Sequence, residues 1–306
     1  MKYAHIIMAV AGEVWAIDGI KMQEIVAFLA AQASGEKFSA EEVEARIGKS
    51  QERDLARREG SVAVLPLRGV IANRMSLMGD ISGGASNEAL SRQFQALVAD
   101  DTVKAIVLDV DSPGGAVAGT DELSAQIFSA RGIKPVVAHV NATAASAAYW
   151  IATAADEVVV TPSGAVGSIG VFGVHDDISA ALEKMGVRKT IVSAGRYKTE
   201  GNPFSPLEGA ALEAMQARVD ESYEAFVAAV ARNRGASVKR VREGFGQGRM
   251  VSAQEAVAQG MADRVATLEE TLRRFGASQF TPPPSAAAPR RRSFAFEREK
   301  RALDLI

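Results

Sequence analysis

KAIVLDVDSPGGAVAGTDELSAQIFSARGIKPVVAHV, residues Lys104 to Val140, runs from a β-branched segment through a paired-glycine turn into a helical pattern, then into a second β-branched segment. A strand, a turn, a helix and another strand within so short a stretch is a βαβ unit, and a chain of such units forms a mainly parallel sheet covered by helices. The same alternation continues on both sides. SVAVLPL from Ser61, DEVVV from Asp156 and KTIVSA from Lys189 are further candidate strands. Helical patterns fall at 87–98, 120–130, 144–155 and 176–185. A longer helix is expected over 207–234, where Leu212, Met215, Val219, Tyr223, Phe226 and Val230 recur every three or four residues as a core or subunit-contact stripe.

The outer regions differ in composition. Residues 1–59 read as a helical N-terminal arm and linker: an apolar helical stretch from Ile20 to Ala31, then a capping-box start at Ser39 and Glu42, then the charged run KSQERDLARREG. Residues 60–275 form the α/β domain. Residues 276–306 contain TPPPSAAAPRRRS, a Pro/Ala-rich basic linker that cannot bury a core, followed by FAFEREKRALDLI, which has the pattern of one short amphipathic helix.

Bulk composition removes several classes of function. In 306 residues, 47% are hydrophobic and 24% charged, as in ordinary folded domains, and 35 basic against 37 acidic side chains leave a net charge of −2. That balance argues against a nucleic-acid partner. The absence of cysteine excludes disulfides, thiolate metal sites and a cysteine nucleophile, and no His, Asp or Glu spacing suggests a metal site. No cofactor is expected. Glu13, Asp18, Lys21 and Glu24 interrupt the apolar N-terminus before it reaches membrane-spanning length, so no membrane anchor is expected and a cytoplasmic location is favoured.

Two turns could carry chemistry. Asp111-Ser112-Pro113-Gly114-Gly115 follows a strand, and loops beyond the carboxyl ends of parallel strands are where α/β folds build sites. Alone it reads as a plain strand-to-helix turn; as a site, its glycines could turn backbone N–H groups outward as half of an oxyanion hole. It lacks the spacing of a phosphate-binding loop. Ala144-Ala145-Ser146-Ala147-Ala148-Tyr149 also follows a strand and opens a helix, with small neighbours that would let a substrate backbone approach. An isolated serine in an alanine-rich helix is ordinarily a packing residue, and the glycine turn upstream is what makes Ser146 a candidate nucleophile.

A serine hydroxyl needs a base. His139 lies inside a strand and reads as a core histidine, His5 belongs to the arm, and His175 opens a helix with no serine motif nearby. Lysine is the alternative, because removing water from an ammonium favours the neutral amine. Lys198 is the candidate, on the Gly-containing loop SAGRYKTEGNP after KTIVSA; Lys104, Lys134, Lys184 and Lys189 read as strand-start or exposed helix-end residues.

DSPGG at 111–115, AASAAYWIATAADEVVVTPSGAVGSIGV at 144–171 and SAGRYKTEGNPFSP at 193–206 together resemble the signal peptide peptidase A family of serine peptidases, which also holds phage head maturation proteases. ARNRG at 231–235 and GRMVSAQEAVAQGMADRV at 248–265 extend the likeness in the same order. The resemblance implies a Clp protease/crotonase-like spiral of βαβ units. It also implies a Ser-Lys dyad of Ser146 and Lys198, and an oxyanion hole from the backbone N–H groups of Gly114, Gly115 and Ala147. Family members form rings or domes, in some of which serine and lysine come from neighbouring subunits, so a homo-oligomer acting on peptide or protein substrates is expected. The soluble arm with EVWAIDG and FSAEEVEARIG looks more like the capsid-protease branch than the membrane-bound one. Scaffold and capsid proteins, inside a bacterial host or a prohead, are the substrates that branch implies. The alternatives are signal-peptide-peptidase-like degradation of peptides, a crotonase-type acyl-CoA enzyme, and a catalytically silent scaffolding or assembly protein.

Overall fold

The computed structural model describes residues 13–33, 57–74 and 84–276. The helix expected after Ser39 and the Pro-rich tail lie outside them. In chain order the elements are β1 (Val14–Ile17), α1 (Gly19–Ala33), β2 (Arg57–Glu59), β3 (Val62–Arg68), β4 (Ile71–Ala72), β5 (Ala85–Ser86), α2 (Asn87–Ala99), β6 (Ala105–Ser112) and β7 (Gly114–Ala116). There follow α3 (Thr120–Ser129), β8 (Val136–Ala145), α4 (Ala147–Thr153), β9 (Glu157–Val160), β10 (Ala165–Gly167), β11 (Phe172–Gly173), α5 (Ser179–Lys184) and α6 (Gly209–Arg234). The last elements are α7 (Val238–Gly244), β12 (Met250–Ser252), α8 (Ala253–Gln259), β13 (Arg264–Val265) and α9 (Leu268–Arg273).

Two sheets organise the α/β fold. The larger has the order β12-β10-β8-β6-β3-β2, with β9 and β13 attached beside β8. Its central strands β3, β6 and β8 are parallel, and the apolar runs that form them are buried on both faces. The smaller sheet, β11-β1-β7-β4-β5, consists of short strands. The chain crosses between the sheets at Pro113, where β6 ends and β7 begins. Because Ile106 pairs with Val136 and Ser112 with Ala144, β6 and β8 end side by side. Register alone therefore sets the glycine turn after β6 against the serine turn after β8.

Helix α4 is the centre of the core. All of its residues are buried, and its Trp150 ring stacks on Phe226 of α6 with centroids 4.6 Å apart and planes within 6°. Such a stacked pair contributes about 0.5–1.5 kcal/mol beyond its area burial. The C-terminal end of α4 is held by Arg131, which donates from Nε to the Ala154 carbonyl (3.0 Å) and from Nη2 to those of Thr153 (2.9 Å), Ala155 (2.6 Å) and Asn233 (3.0 Å). A cation there satisfies carbonyls that have no partner within the helix and opposes the negative end of its dipole.

Three expectations need correction. Within the expected helical arm, Val14–Ile17 is a strand, inserted between β7 and β11, and Arg57–Glu59 pairs with β3. A strand of 4 residues has no room to display its alternation, and its partners are remote in sequence. Helix 144–155 begins only at Ala147, because β8 runs through Asn141 to Ala145 and pairs with β10 there. KTIVSA, expected as a strand, pairs with nothing among the described residues and is exposed, Val192 by 93%. Its β-branched residues favour a pleated surface but find no neighbouring strand among the described residues.

Candidate active site

Ser146 sits between β8 and α4 with φ 53° and ψ −116°, a backbone conformation a non-glycine residue holds only when its surroundings enforce it. Those surroundings are specific. Its N–H donates to the Gly167 carbonyl (2.8 Å), and its own carbonyl accepts from Trp150 N–H (2.9 Å), which starts the helix. Its Oγ donates to the Gly170 carbonyl (3.2 Å), and the residue is fully buried. The sharp strand-to-helix turn presents the hydroxyl at the end of a parallel strand, the position from which a serine can attack a carbonyl carbon.

The glycine turn lies against it. Gly114 has φ +94°, and a methyl group on its Cα would come 2.3 Å from the Ala16 carbonyl oxygen and 2.8 Å from that of Ala145, the residue before the serine. At Gly115 the obstacle would be the Ile71 carbonyl oxygen, at 1.9 Å. Only glycine permits these approaches. Gly114 N–H donates to Ser112 Oγ (3.1 Å), and that hydroxyl donates to the Gly69 carbonyl (2.6 Å). Gly115 lies inside β7, flanked by β1 and β4. Ala147 is the first residue of α4, one of the positions whose N–H has no partner within the helix.

Lys198 is placed differently. It lies on an exposed turn, its N–H donating to the Gly195 carbonyl (3.2 Å), and no hydrogen bond or ion pair joins its ammonium to Ser146 among the described residues. The structure thus brings Gly114 against the residue before Ser146 and Ala147 directly after it, with Gly115 facing Ile71 and no hydrogen bond from Lys198 to Ser146 among the described residues. His139 is fully buried in β8, with Nδ1 3.2 Å from Thr271 Oγ1, and burial pushes its pKa down to about 4. His175 is in an exposed segment, Nε2 3.2 Å from the Ser205 carbonyl, and His5 lies outside the described residues. No group of three or more His, Cys, Asp or Glu among the described residues could hold a metal ion, and no described helix is long and apolar enough to cross a membrane.

The sequence motifs at 231–235 and 248–265 acquire roles that spacing alone did not reveal. Asn233 donates from Nδ2 to Thr153 Oγ1 (3.0 Å) at the end of α4. Arg234 pairs with Asp263 through two 2.8 Å bonds, while Asp263 Oδ2 accepts from Val158 N–H (2.7 Å) of β9. Tyr149 Oη donates to the Met261 carbonyl (2.8 Å). The Asn233 and Tyr149 contacts hold the helix behind Ser146 and the Arg234–Asp263 pair holds β9; their sequence signal is polar residues amid apolar stretches.

A serine on a strained strand-to-helix turn beside a glycine turn makes the ends of β6 and β8 the candidate site of this α/β protein. Comparison with known proteins narrows this. The model of "Peptidase family S49" matches residues 129–279. "Capsid assembly protease C" of Escherichia phage lambda is 34% identical over 245 residues, 78% of this chain and 55% of that protein. "Head-tail preconnector protein GP5" of Enterobacteria phage P21 is 33% identical over 69% of this chain and 42% of its own. "Putative protease slr0021" of Synechocystis sp. is 30% identical, with 73% of its length covered. This chain belongs to peptidase family S49. It spans about half the length of the two phage proteins it matches. Among solved structures, a ClpP1 mutant from Listeria monocytogenes aligns over 68% of this chain and 94% of its own with a TM-score of 0.44 and 16% identity.

Proposed function

We propose that this chain is a serine endopeptidase in which Ser146 attacks the substrate carbonyl and Lys198 of a neighbouring copy takes its proton. The backbone N–H groups of Gly114, Gly115 and Ala147 are the oxyanion donors of this reading. Attack by Ser146 Oγ would form a tetrahedral intermediate; proton delivery to the leaving amine would break the peptide bond and leave an acyl-enzyme that water then hydrolyses. The observation that carries the reading is the enforced backbone of Ser146, held by Gly167 and Trp150 beside a turn that tolerates only glycine.

A lysine from a second copy is supported by contrast of environment. Ser146 is fully buried while Lys198 is exposed, and the segment leading to Lys198 exposes Met185, Ile191, Val192 and Tyr197. Apolar exposure repeated along one segment is what an interaction surface would show, and contact with another subunit would take water from the Lys198 ammonium and favour the neutral amine. Residues 60–275 would be the peptidase domain, with scaffold or capsid proteins of a phage or prophage as substrates, in a bacterial host cell or prohead. The similarity to the lambda and P21 proteins favours that setting over general peptide degradation.

The test is complementation. Ser146→Ala and Lys198→Ala should each abolish cleavage of a co-expressed scaffold or capsid protein while the circular dichroism spectrum stays unchanged. Mixing the two inactive proteins should restore part of the activity, because a Lys198→Ala serine then meets an intact lysine. Full cleavage by either single variant would overturn the dyad; inactivity of demonstrably mixed oligomers would place both residues in one chain.

A further inference from the structure

Strand β1 occupies a place that the proposed chemistry requires for something else. A peptide whose carbonyl is to reach Ser146 must lie extended beside the glycine turn, and the backbone edge available for pairing there is β7. That edge is filled by the chain itself. Val14–Ile17 runs antiparallel to Gly114–Ala116 on one side and to Phe172–Gly173, just beyond the Gly170 carbonyl that holds Ser146 Oγ, on the other. Asp18 N–H donates to the Pro113 carbonyl (2.8 Å) and Val117 N–H to the Val14 carbonyl (3.1 Å). The alternation of an antiparallel ladder then makes Ala16 and Gly115 a hydrogen-bonded pair, which engages the Gly115 N–H.

The side chains of β1 are seated as a bound peptide's would be. Trp15 and Ile17 point to one face, where they form a small cluster with Met22, Val70 and Ala116, against which Phe172 packs. This cluster is separate from the main core. Ala16, on the opposite face, belongs to the main core together with Ala144 and Ala147, which flank the serine turn. Asp18 ends the strand: its Oδ1 accepts from the N–H groups of Ile20 (3.1 Å) and Lys21 (3.2 Å), starting α1 and leading the chain away.

We infer that β1 is an internal occupant of the peptide-binding edge, a tethered stand-in for substrate that must leave before an extended peptide can pair with β7. The inference rests on Ser146 being the nucleophile. It also states a substrate class: an extended segment with apolar side chains two residues apart around a small one, as in Trp15-Ala16-Ile17. In this arrangement the chain is held latent, since Ser146 is buried and the Gly115 N–H is engaged by Ala16.

The experiment uses the full chain and two variants that unseat β1 differently. Ala16→Pro removes the N–H that pairs with Gly115, and Ile17→Asp makes the apolar cluster unfavourable. A fluorophosphonate probe reports access to Ser146, with Ser146→Ala as the blank, and a fluorescein-labelled peptide of the sequence EVWAIDG reports access to the edge. Both variants should label at least tenfold faster than the unmodified chain, should bind the peptide when the unmodified chain does not, and should label slowly again when peptide is added in excess. Folded variants that label no faster, or that label faster without binding the peptide, would overturn the inference. Loss of the folded state in both variants would overturn it too, by making β1 an ordinary core strand. Peptide binding by the variants with no labelling of Ser146 in any of them would instead overturn the nucleophile and leave the occupied edge standing.

Discussion

Ser146 is where strand β8 hands over to helix α4. Its backbone is bonded to Gly167 and Trp150, the helix behind it is clamped by Arg131 and Asn233, and no part of it reaches solvent. At Lys198 a turn is held by bonds from Lys198 N–H to the Gly195 carbonyl and from Glu200 N–H to the Tyr197 carbonyl, preceded by an irregular segment that exposes apolar residues. The first region is held by bonds from within one chain; the second exposes apolar residues along an irregular segment. The difference teaches that this fold by itself enforces the backbone of Ser146, whereas no hydrogen bond among the described residues holds Lys198 beside it.

That contrast can be broken most directly through activity. Ser146→Ala and Lys198→Ala should each lower the rate of peptide-bond cleavage by a factor on the order of 10⁴–10⁶, measured on a protein substrate, the scale seen when a nucleophile or its base is removed. Neither should move the melting temperature of the isolated chain by more than about 2 °C, as substitutions that open no cavity usually cost little. Trp150→Ala should destabilise by about 3–5 kcal/mol in a denaturant titration, because it empties the stacked contact with Phe226. Val192→Asp, in the other region, should leave that titration unchanged and reduce oligomer formation in sedimentation. An equal loss of stability at both positions would erase the distinction.

Acid should act on the first region before the second. His139 is held neutral by burial, down to about 4 from an ordinary value near 6.5, despite the pull of Asp109 on the neighbouring strand. The unfolded chain therefore takes up a proton at higher pH than the folded one. The resulting stability is fully present above about pH 6.5 and is lost as pH falls toward 4, on the order of 2–3 kcal/mol in all. Unfolding free energies of the unmodified chain and His139→Gln should differ in slope over that window, the unmodified chain losing more; parallel curves would remove His139 as the cause.

The parts of the fold legible in sequence were those fixed by dense local pattern. The β-branched runs at β3, β6 and β9, and the periodicity of α6, are signals carried by contiguous residues. Register then placed Gly114 beside Ser146, a relation that follows from two neighbouring parallel strands ending together. Strand β1 was hidden because its 4 residues hold too little alternation and their partners lie far along the chain, although Val14-Trp15-Ala16-Ile17 followed by the Asp18 cap is in hindsight a strand stop and a helix start. The segment at 189–194 misled for the opposite reason: strong propensity with no strand to pair with among the described residues. Arg131 and Asn233 were unreadable, since an interior carbonyl clamp has no local signature.

The backbone angles of Ser146 have a thermodynamic side. A residue with a Cβ held at φ 53° and ψ −116° carries a conformational penalty that glycine would not. Ser146→Gly should therefore make the chain catalytically dead yet more stable, by about 0.5–1 kcal/mol over Ser146→Ala in a matched melt, since both lack the hydroxyl and only alanine keeps the strain. By that measure the serine turn is a place where the bonds to Gly167 and Trp150 sustain a local conformational cost that the rest of the fold offsets.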